Sequence, residues 1–339
     1  MASIIVSALY VALAVLRSPN RGGQLALASP TAGASAQVPG ASSQTAAAVT
    51  PSAASQGAGQ ATEIVFQNVQ RDNGYAQVAV VPASDPSAAR DITDIACERV
   101  HYAAGRGICL NADYGVIANY YADLFDSSFR PVTRIPLEGA PTRARVSPDG
   151  RYGAATTFVY GHSYADINFS TATLLIDMAS GNILGNLEDF TTYRDGQQWR
   201  EQDFNFWGVT FSSADSNIFY ASLRSGGLTY LVKGDIGTRS MQVLHQNVEC
   251  PSVSPDGTRI AYKKLGEGLV GQWRLTMLDL ATMTETPLAE TRNIDDQAEW
   301  LDDHTVLYGD GENIYQVPAD GSGTPSMFIA DGLSPAVVR

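Results

Sequence analysis

The chain has 339 residues, is 44% hydrophobic and carries a formal net charge of −13. That length allows a large core in one or two domains. The acidity excludes a general phosphate-binding role, because nucleic-acid recognition needs a basic footprint. From Ala2 to Leu16 the chain is almost wholly apolar, with Ile4, Ile5, Val6, Leu9, Val11, Leu13, Val15 and Leu16. This suits the apolar region of a signal peptide and is shorter than a comfortable membrane span. Arg17 and Arg21 follow the run, so residues 1–23 read as a signal peptide or as a retained membrane anchor. Residues 24–61 are Ala, Ser, Gly, Thr, Gln and Pro with few large apolar side chains. Such a segment buries too little surface to offset its ordering entropy and reads as a disordered tether. An exported protein is expected, secreted or anchored to the membrane by its N-terminal segment, with a folded part over residues 62–339.

A repeat fills that part. Glu63-Ile64-Val65-Phe66 and Gln77-Val78-Ala79-Val80-Val81-Pro82 are strand-like. Val100 to Leu110 is a hairpin turning at Gly105, followed by Tyr120 to Phe125. Arg145-Val146-Ser147-Pro148-Asp149-Gly150-Arg151-Tyr152 is a hairpin, because Pro sets φ, Asp bonds back to the backbone and Gly accepts positive φ. Leu174 to Met178 follows it. The same rhythm returns at Phe211 to Tyr220 with Thr229 to Lys233, at Ser252 to Tyr262 with Leu275 to Leu280, and at Trp300 to Tyr308 with Ile314 to Pro318. Units of roughly 40–50 residues with no helical period between strands predict an all-β, six-bladed β-propeller of four-stranded blades. The first unit lacks an innermost strand. Gly332 to Arg339 looks like the start of one, so the C-terminal strand is expected to close the ring.

The Ser-Pro-Asp-Gly turns, and strands ending in Asp or Pro before a small-residue turn, resemble the TolB-like, WD40-like (PD40) propeller repeat over about residues 62 to 339. Phe206-Trp207-Gly208-Val209-Thr210-Phe211, Asn247-Val248-Glu249-Cys250-Pro251 and Asp295-Asp296-Gln297-Ala298-Glu299-Trp300-Leu301 are similar to exported actinobacterial TolB-like proteins. The resemblance implies an extracytoplasmic, monomeric binding module with a protein or glycan partner in the cell envelope, touching the membrane only through its N-terminus. TolB itself has an α/β domain before its propeller; a linker stands here instead, so no Tol–Pal role is implied.

Little in the sequence points to catalysis. Gly161-His162-Ser163-Tyr164-Ala165 has the spacing of a nucleophile elbow, but lies between two strands of one blade and not in a strand–turn–helix. His101, His162, His245 and His304 fall in different blades, which favours solvated or capping histidines over a metal cluster. A non-enzyme is expected, with a metal-dependent propeller enzyme such as a polysaccharide lyase as the alternative. Residues just before the innermost strands should ring the channel mouth: Asp94, Arg143, Asp203, Glu249, Asp295 and Asp296. These carboxylates suit either a solvated rim or a site for Ca²⁺ or a basic group; no other cofactor is expected. Two insertions, Tyr160 to Thr171 and Glu188 to Asn205, fall on the same face and bring Tyr160, His162, Tyr164, Phe169, Tyr193 and Trp199. Loop aromatics either anchor a partner or cover a strand edge, and Trp199 is the better exposed candidate. Of the three cysteines, Cys97 and Cys109 flank a Gly-rich turn and are either disulfide-bonded or buried thiols; Cys250 reads as a buried thiol.

Overall fold

The computed structural model describes residues 62–159, 170–266 and 272–339, and these form six sheets arranged as propeller blades. Blade one holds β1 (Glu63–Asn68), β2 (Gln77–Pro82) and β3 (Asp91–Ala96). Blade two holds β4 (Arg99–Ala103), β5 (Arg106–Tyr114), β6 (Ala118–Phe125) and β7 (Pro131–Leu137). Blade three holds β8 (Ala140–Val146), β9 (Tyr152–Val159), β10 (Ser170–Asp177) and β11 (Ile183–Asn186). A 3-10 turn, Leu187–Asp189, leads into a small hairpin of β12 (Thr191–Arg194) and β13 (Gln197–Trp199). Blade four is β14 (Asn205–Phe211), β15 (Ile218–Ser225), β16 (Leu228–Asp235) and β17 (Ser240–Gln246). Blade five is β18 (Glu249–Val253), β19 (Arg259–Leu265), β20 (Trp273–Asp279) and β21 (Glu285–Pro287). Blade six is β22 (Glu299–Trp300), β23 (Thr305–Asp310), β24 (Asn313–Pro318) and β25 (Ser326–Ile329). The last strand, β26 (Gly332–Val338), returns to blade one and pairs antiparallel with β1, Val338 opposite Glu63. The C-terminal strand thus supplies the missing innermost strand, as the sequence predicts.

The turns hold for the reasons their residues suggest. At Pro148-Asp149-Gly150, Ser147 Oγ donates to Asp149 Oδ1 (2.7 Å) and the Arg151 amide donates to the same oxygen (3.0 Å). The second copy repeats this with Ser254, Asp256 and the Thr258 amide (3.0 Å). Gly150 has φ +70°, which favours glycine, and a Cβ there would press on Ala104 at 3.2 Å. Every residue of the inner strand β14 is buried, whereas an outer strand such as β7 alternates, with one side wet.

The core is divided by seam. Ile108 and Leu124 of blade two meet Val146 and Ile176 of blade three. Equivalent buried clusters fill the other seams, including the one between blades six and one, where Leu307 and Ile314 meet Ile64 and Val337. Each blade therefore buries apolar surface only against its two neighbours, and the ring must close to cover the last seam.

Innermost strands β4, β8, β14, β18, β22 and β26 surround the axis. We term the end where they start the mouth face and the end with the Ser-Pro-Asp-Gly turns the turn face. Cys97 and Cys109 are disulfide-bonded, with Cα atoms 5.4 Å apart, tying the connection before β4 to β5. Cys250 is a buried free thiol.

One expectation is corrected. No helix among the described residues is long and apolar enough to cross a membrane. The anchor was read from residues 1–23, which lie outside the described residues, as does the tether over 24–61. Membrane anchoring is therefore dropped.

Candidate functional site

The mouth is built differently from the expected ring of free carboxylates. Asp94 lies on β3, the outer strand of blade one, and is exposed far from the axis. Blade two starts later than its repeat suggests, because Cys97 and Glu98 take up the connection. Asp203 closes a turn of its own blade: Oδ1 accepts from Ser225 Oγ (2.7 Å) and Oδ2 from the Gly226 amide (2.7 Å). Asp296 accepts the Gly309 amide (3.0 Å). Only Glu249 and Asp295 come together, and they do so around a cation. Lys263, whose side chain is 4% exposed, pairs with Asp295 and lies 3.8 Å from Glu249. Arg143 lies 3.8 Å from Asp295, and its Nη1 donates to the Thr142 carbonyl (2.9 Å).

Burial works against the charge on Arg143 and on Lys263, but the Cys250 sulfur and the surrounding carboxylates outweigh it and raise both. Burial likewise pushes the Asp295 carboxyl up, and Lys263 with Arg143 more than reverses this, holding it below its ordinary value. The mouth is thus a charge-compensated plug. Among the described residues no three His, Cys, Asp or Glu side chains are grouped to hold a metal ion, so the Ca²⁺ reading of this ring finds no ligand set there. β14 and β18 approach closely beside it: Gly208 has φ +65°, and a Cβ there would lie 2.7 Å from Cys250 Cα.

Deeper along the axis, three inner strands bring His101, Arg145 and Glu299 together. Arg145 Nη1 pairs with Glu299 and lies 3.0 Å from His101 Nε2, while Nη2 donates to the Ala298 carbonyl (2.9 Å). His101 Nδ1 accepts the Val146 amide (3.1 Å). All three residues are buried. Burial and then Arg145 depress the His101 pKa below its ordinary value, so the ring is neutral near pH 7. Burial would raise Glu299, but Arg145 and His101 outweigh it and hold the carboxyl at about 2. On the turn-face side of this layer a cavity of about 150 Å³ opens; on the mouth side the space is about 20 Å³.

No family model matches the sequence, and no curated protein matches it. Solved structures do. The crystal structure of TolB from Acinetobacter baumannii superimposes with a TM-score of 0.56 at 14% identity, over 82% of this chain and 66% of that one. In fold the chain is similar to TolB. The match covers just under two thirds of the TolB chain. A chain of a nidogen/laminin complex gives a TM-score of 0.56 at 10% identity, over 81% of this chain and 98% of that one. At these identities the likeness concerns the fold.

Within the ring, the candidate aromatics divide. Tyr160, His162, Tyr164 and Phe169 lie outside the described residues. The second insertion is not a free loop. Its hairpin adds to the outer edge of blade four, β12 pairing parallel with β17 and antiparallel with β13. Trp199 packs edge-on against Phe204 (4.9 Å between centroids) and Tyr230 (5.4 Å), with the Arg194 guanidinium 5.0 Å from its ring. Of the two readings for Trp199, the structure gives the strand-edge cover. Tyr193 stays partly exposed on β12.

Among the described histidines only His304 is solvated; His245 lies 3.0 Å from the Glu285 carboxylate, and His101 is buried at the axis against expectation. Sequence reasoning also missed the blade-two hairpin tip on the mouth face. There Val116 is fully exposed and Ile117 is 76% exposed, beside Tyr114, whose hydroxyl donates to Glu98 (2.5 Å). A Val-Ile pair at a hairpin tip, where turn-forming polar residues are usual, was the available signal.

Proposed function

We propose that this propeller is a monomeric binding module that recognises a protein partner through its mouth face. The observation that carries the reading is the exposed Val116-Ile117 tip. Large apolar side chains at a hairpin apex add nothing to the propeller's own core and suit an interface. In the neighbouring blade, β9 ends and β10 begins on this same face. Glycan recognition is the weaker form of this reading, because an aliphatic tip offers no stacking surface. The likeness to TolB favours a partner of the cell envelope, and the segments around Phe206, Glu249 and Asp295 keep the kinship with exported actinobacterial TolB-like proteins within the proposal. The nidogen/laminin structure is of a protein–protein complex, which favours the same class of function. The lyase alternative lacks a ligand cluster among the described residues.

The test is site-specific photo-crosslinking in intact cells from position 117, and from position 237 on the turn face as control. A defined adduct from position 117 only is expected. Val116→Ser, with the crosslinker kept at position 117, should weaken it sharply while leaving Tm within about 1 °C, as for a surface change. Equal labelling from both positions would overturn the assignment of the face.

A further inference from the structure

The blade-two tip on which the proposed function rests is one end of a larger surface. The hairpin of β5 and β6 turns through Val116 and Ile117, with Asp113 and Tyr114 exposed where β5 ends. Tyr114 donates to Glu98, in the connection that leads into β4. The amide of the preceding residue, Cys97, donates to the Ala76 carbonyl (2.9 Å). Ala76 ends the mouth-face loop of blade one, where Asp72 and Tyr75 are exposed. A continuous strip therefore runs over blades one and two, its apolar and aromatic side chains interspersed with the carboxylates of Asp72, Glu98 and Asp113. Its charge is one-sided. Neither Glu98 nor Asp113 forms an ion pair among the described residues. Arg134, which feels the Asp113 charge, is held by two bonds to Asp123 (2.7 Å each). Arg99 donates to the Thr142 carbonyl (3.0 Å), and Arg71 lies 3.8 Å from Glu312.

We propose that this strip binds a cationic segment of a protein partner, with lysines or arginines opposite Asp72, Glu98 and Asp113 and apolar side chains packed on Val116 and Ile117. The inference rests on the mouth-face reading and adds the chemistry of the partner to it. A second copy of this chain would set these carboxylates against their own kind, and like charges juxtaposed at an interface are costly. The tip projects and encloses no volume, so a small solute would keep most of its surface in water. A bilayer is disfavoured, because burying Val116 and Ile117 in it would carry Asp113 towards the hydrocarbon without a counter-charge. A basic segment suits both parts of the strip. Apolar contact desolvates the two aliphatic side chains, and opposite charge steers the approach and fixes its orientation.

The probes are two short fluorescent peptides with the same pattern of leucines, one carrying lysine and the other glutamate at every polar position. Each is titrated with the full chain and read by anisotropy at low and at physiological ionic strength; phosphatidylcholine vesicles form a third arm. Saturable binding of the lysine peptide alone is expected, weaker at the higher salt. Ile117→Ser should weaken it by about tenfold at both salt concentrations, as for the lost burial of one aliphatic side chain. Asp113→Asn should weaken it by about threefold at low salt and less at higher salt, the size of one exposed charge pair. Asp91→Asn, at an exposed carboxylate where β3 begins on the turn face, should change nothing. All three variants should melt with the parent, as surface changes do. No saturable binding of the lysine peptide, or equal binding of the glutamate peptide, would overturn the proposal. So would affinity unchanged by both Ile117→Ser and Asp113→Asn, which is diffuse attraction to an acidic protein, or adsorption to the vesicles that Ile117→Ser abolishes. A crosslinked adduct from position 117 whose partner segment is acidic overturns the cationic partner and leaves the proposed function standing. Absence of any adduct from position 117 overturns the proposed function itself.

Discussion

Glu299 is the residue on which the interior chemistry of the ring depends. It joins a buried cation, Arg145, to a histidine from a third blade. Its ordinary pKa of 4.5 is lowered to about 2, because Arg145 and His101 outweigh the burial that would raise it. The linked stability is therefore complete above pH 4.5 and is lost as the pH falls from 4.5 towards 2. His101 acts in the same direction: held below its ordinary 6.5, it stabilises fully above pH 6.5 and less as the unfolded-state histidine protonates below it. Glu299→Gln leaves Arg145 buried without its counter-charge, which should cost about 3–5 kcal/mol at pH 7. The variant should also lose less Tm than the parent between pH 6 and pH 3. Thermal melts across that range check this; parallel curves would show that Glu299 is not the linked group. None of this was legible in the sequence. Arg145 and Glu299 are 154 residues apart, and each sits in a strand whose neighbours read simply as core or turn flank.

The hairpin of β12 and β13 is the element that departs most from the repeat. Ser-Pro-Asp-Gly turns are local signals, so the hairpins they make were readable residue by residue. β12 instead pairs parallel with β17, about fifty residues later, and no turn chemistry announces such a contact. The surplus length was visible in the sequence, but its placement on the blade edge was not. The consequence for Trp199 is a reversal. It covers Tyr230 and Phe204 and joins the buried cluster between blades three and four, so it stabilises the fold instead of waiting for a partner. Trp199→Ala should lower stability by about 2 kcal/mol, less than a fully buried tryptophan because the side chain is only partly covered. Urea unfolding of the variant measures it. An unchanged midpoint would return Trp199 to the list of exposed anchors.

At the scale of the molecule, the repeat made the ring legible and the axis not. Blade number, strand order and closure follow from turns and apolar strands that recur along the chain. The composition of the axis depends on which inner strands face one another, and one misplaced boundary, at Asp94, was enough to put a carboxylate at the mouth that lies on an outer edge. Closure itself is the property most open to test. β26 carries the chain from the last blade into the first: it pairs with β1, and its Ala336 and Val337 are buried in the two seams that flank blade one. Because every seam covers two blades, removing β26 uncovers apolar surface on both sides and leaves β1 with an unpaired edge. Deleting residues 332–339 should therefore abolish the cooperative melt and cause aggregation, not lower Tm by a few degrees. Ala336→Asp separates loss of the strand from loss of its burial, since it keeps the backbone pairing and places a charge in the seam between blades one and two. It should give a folded but clearly less stable ring. If the truncated chain melts cooperatively at the parent Tm, closure by β26 contributes nothing and the ring is held by the other seams alone.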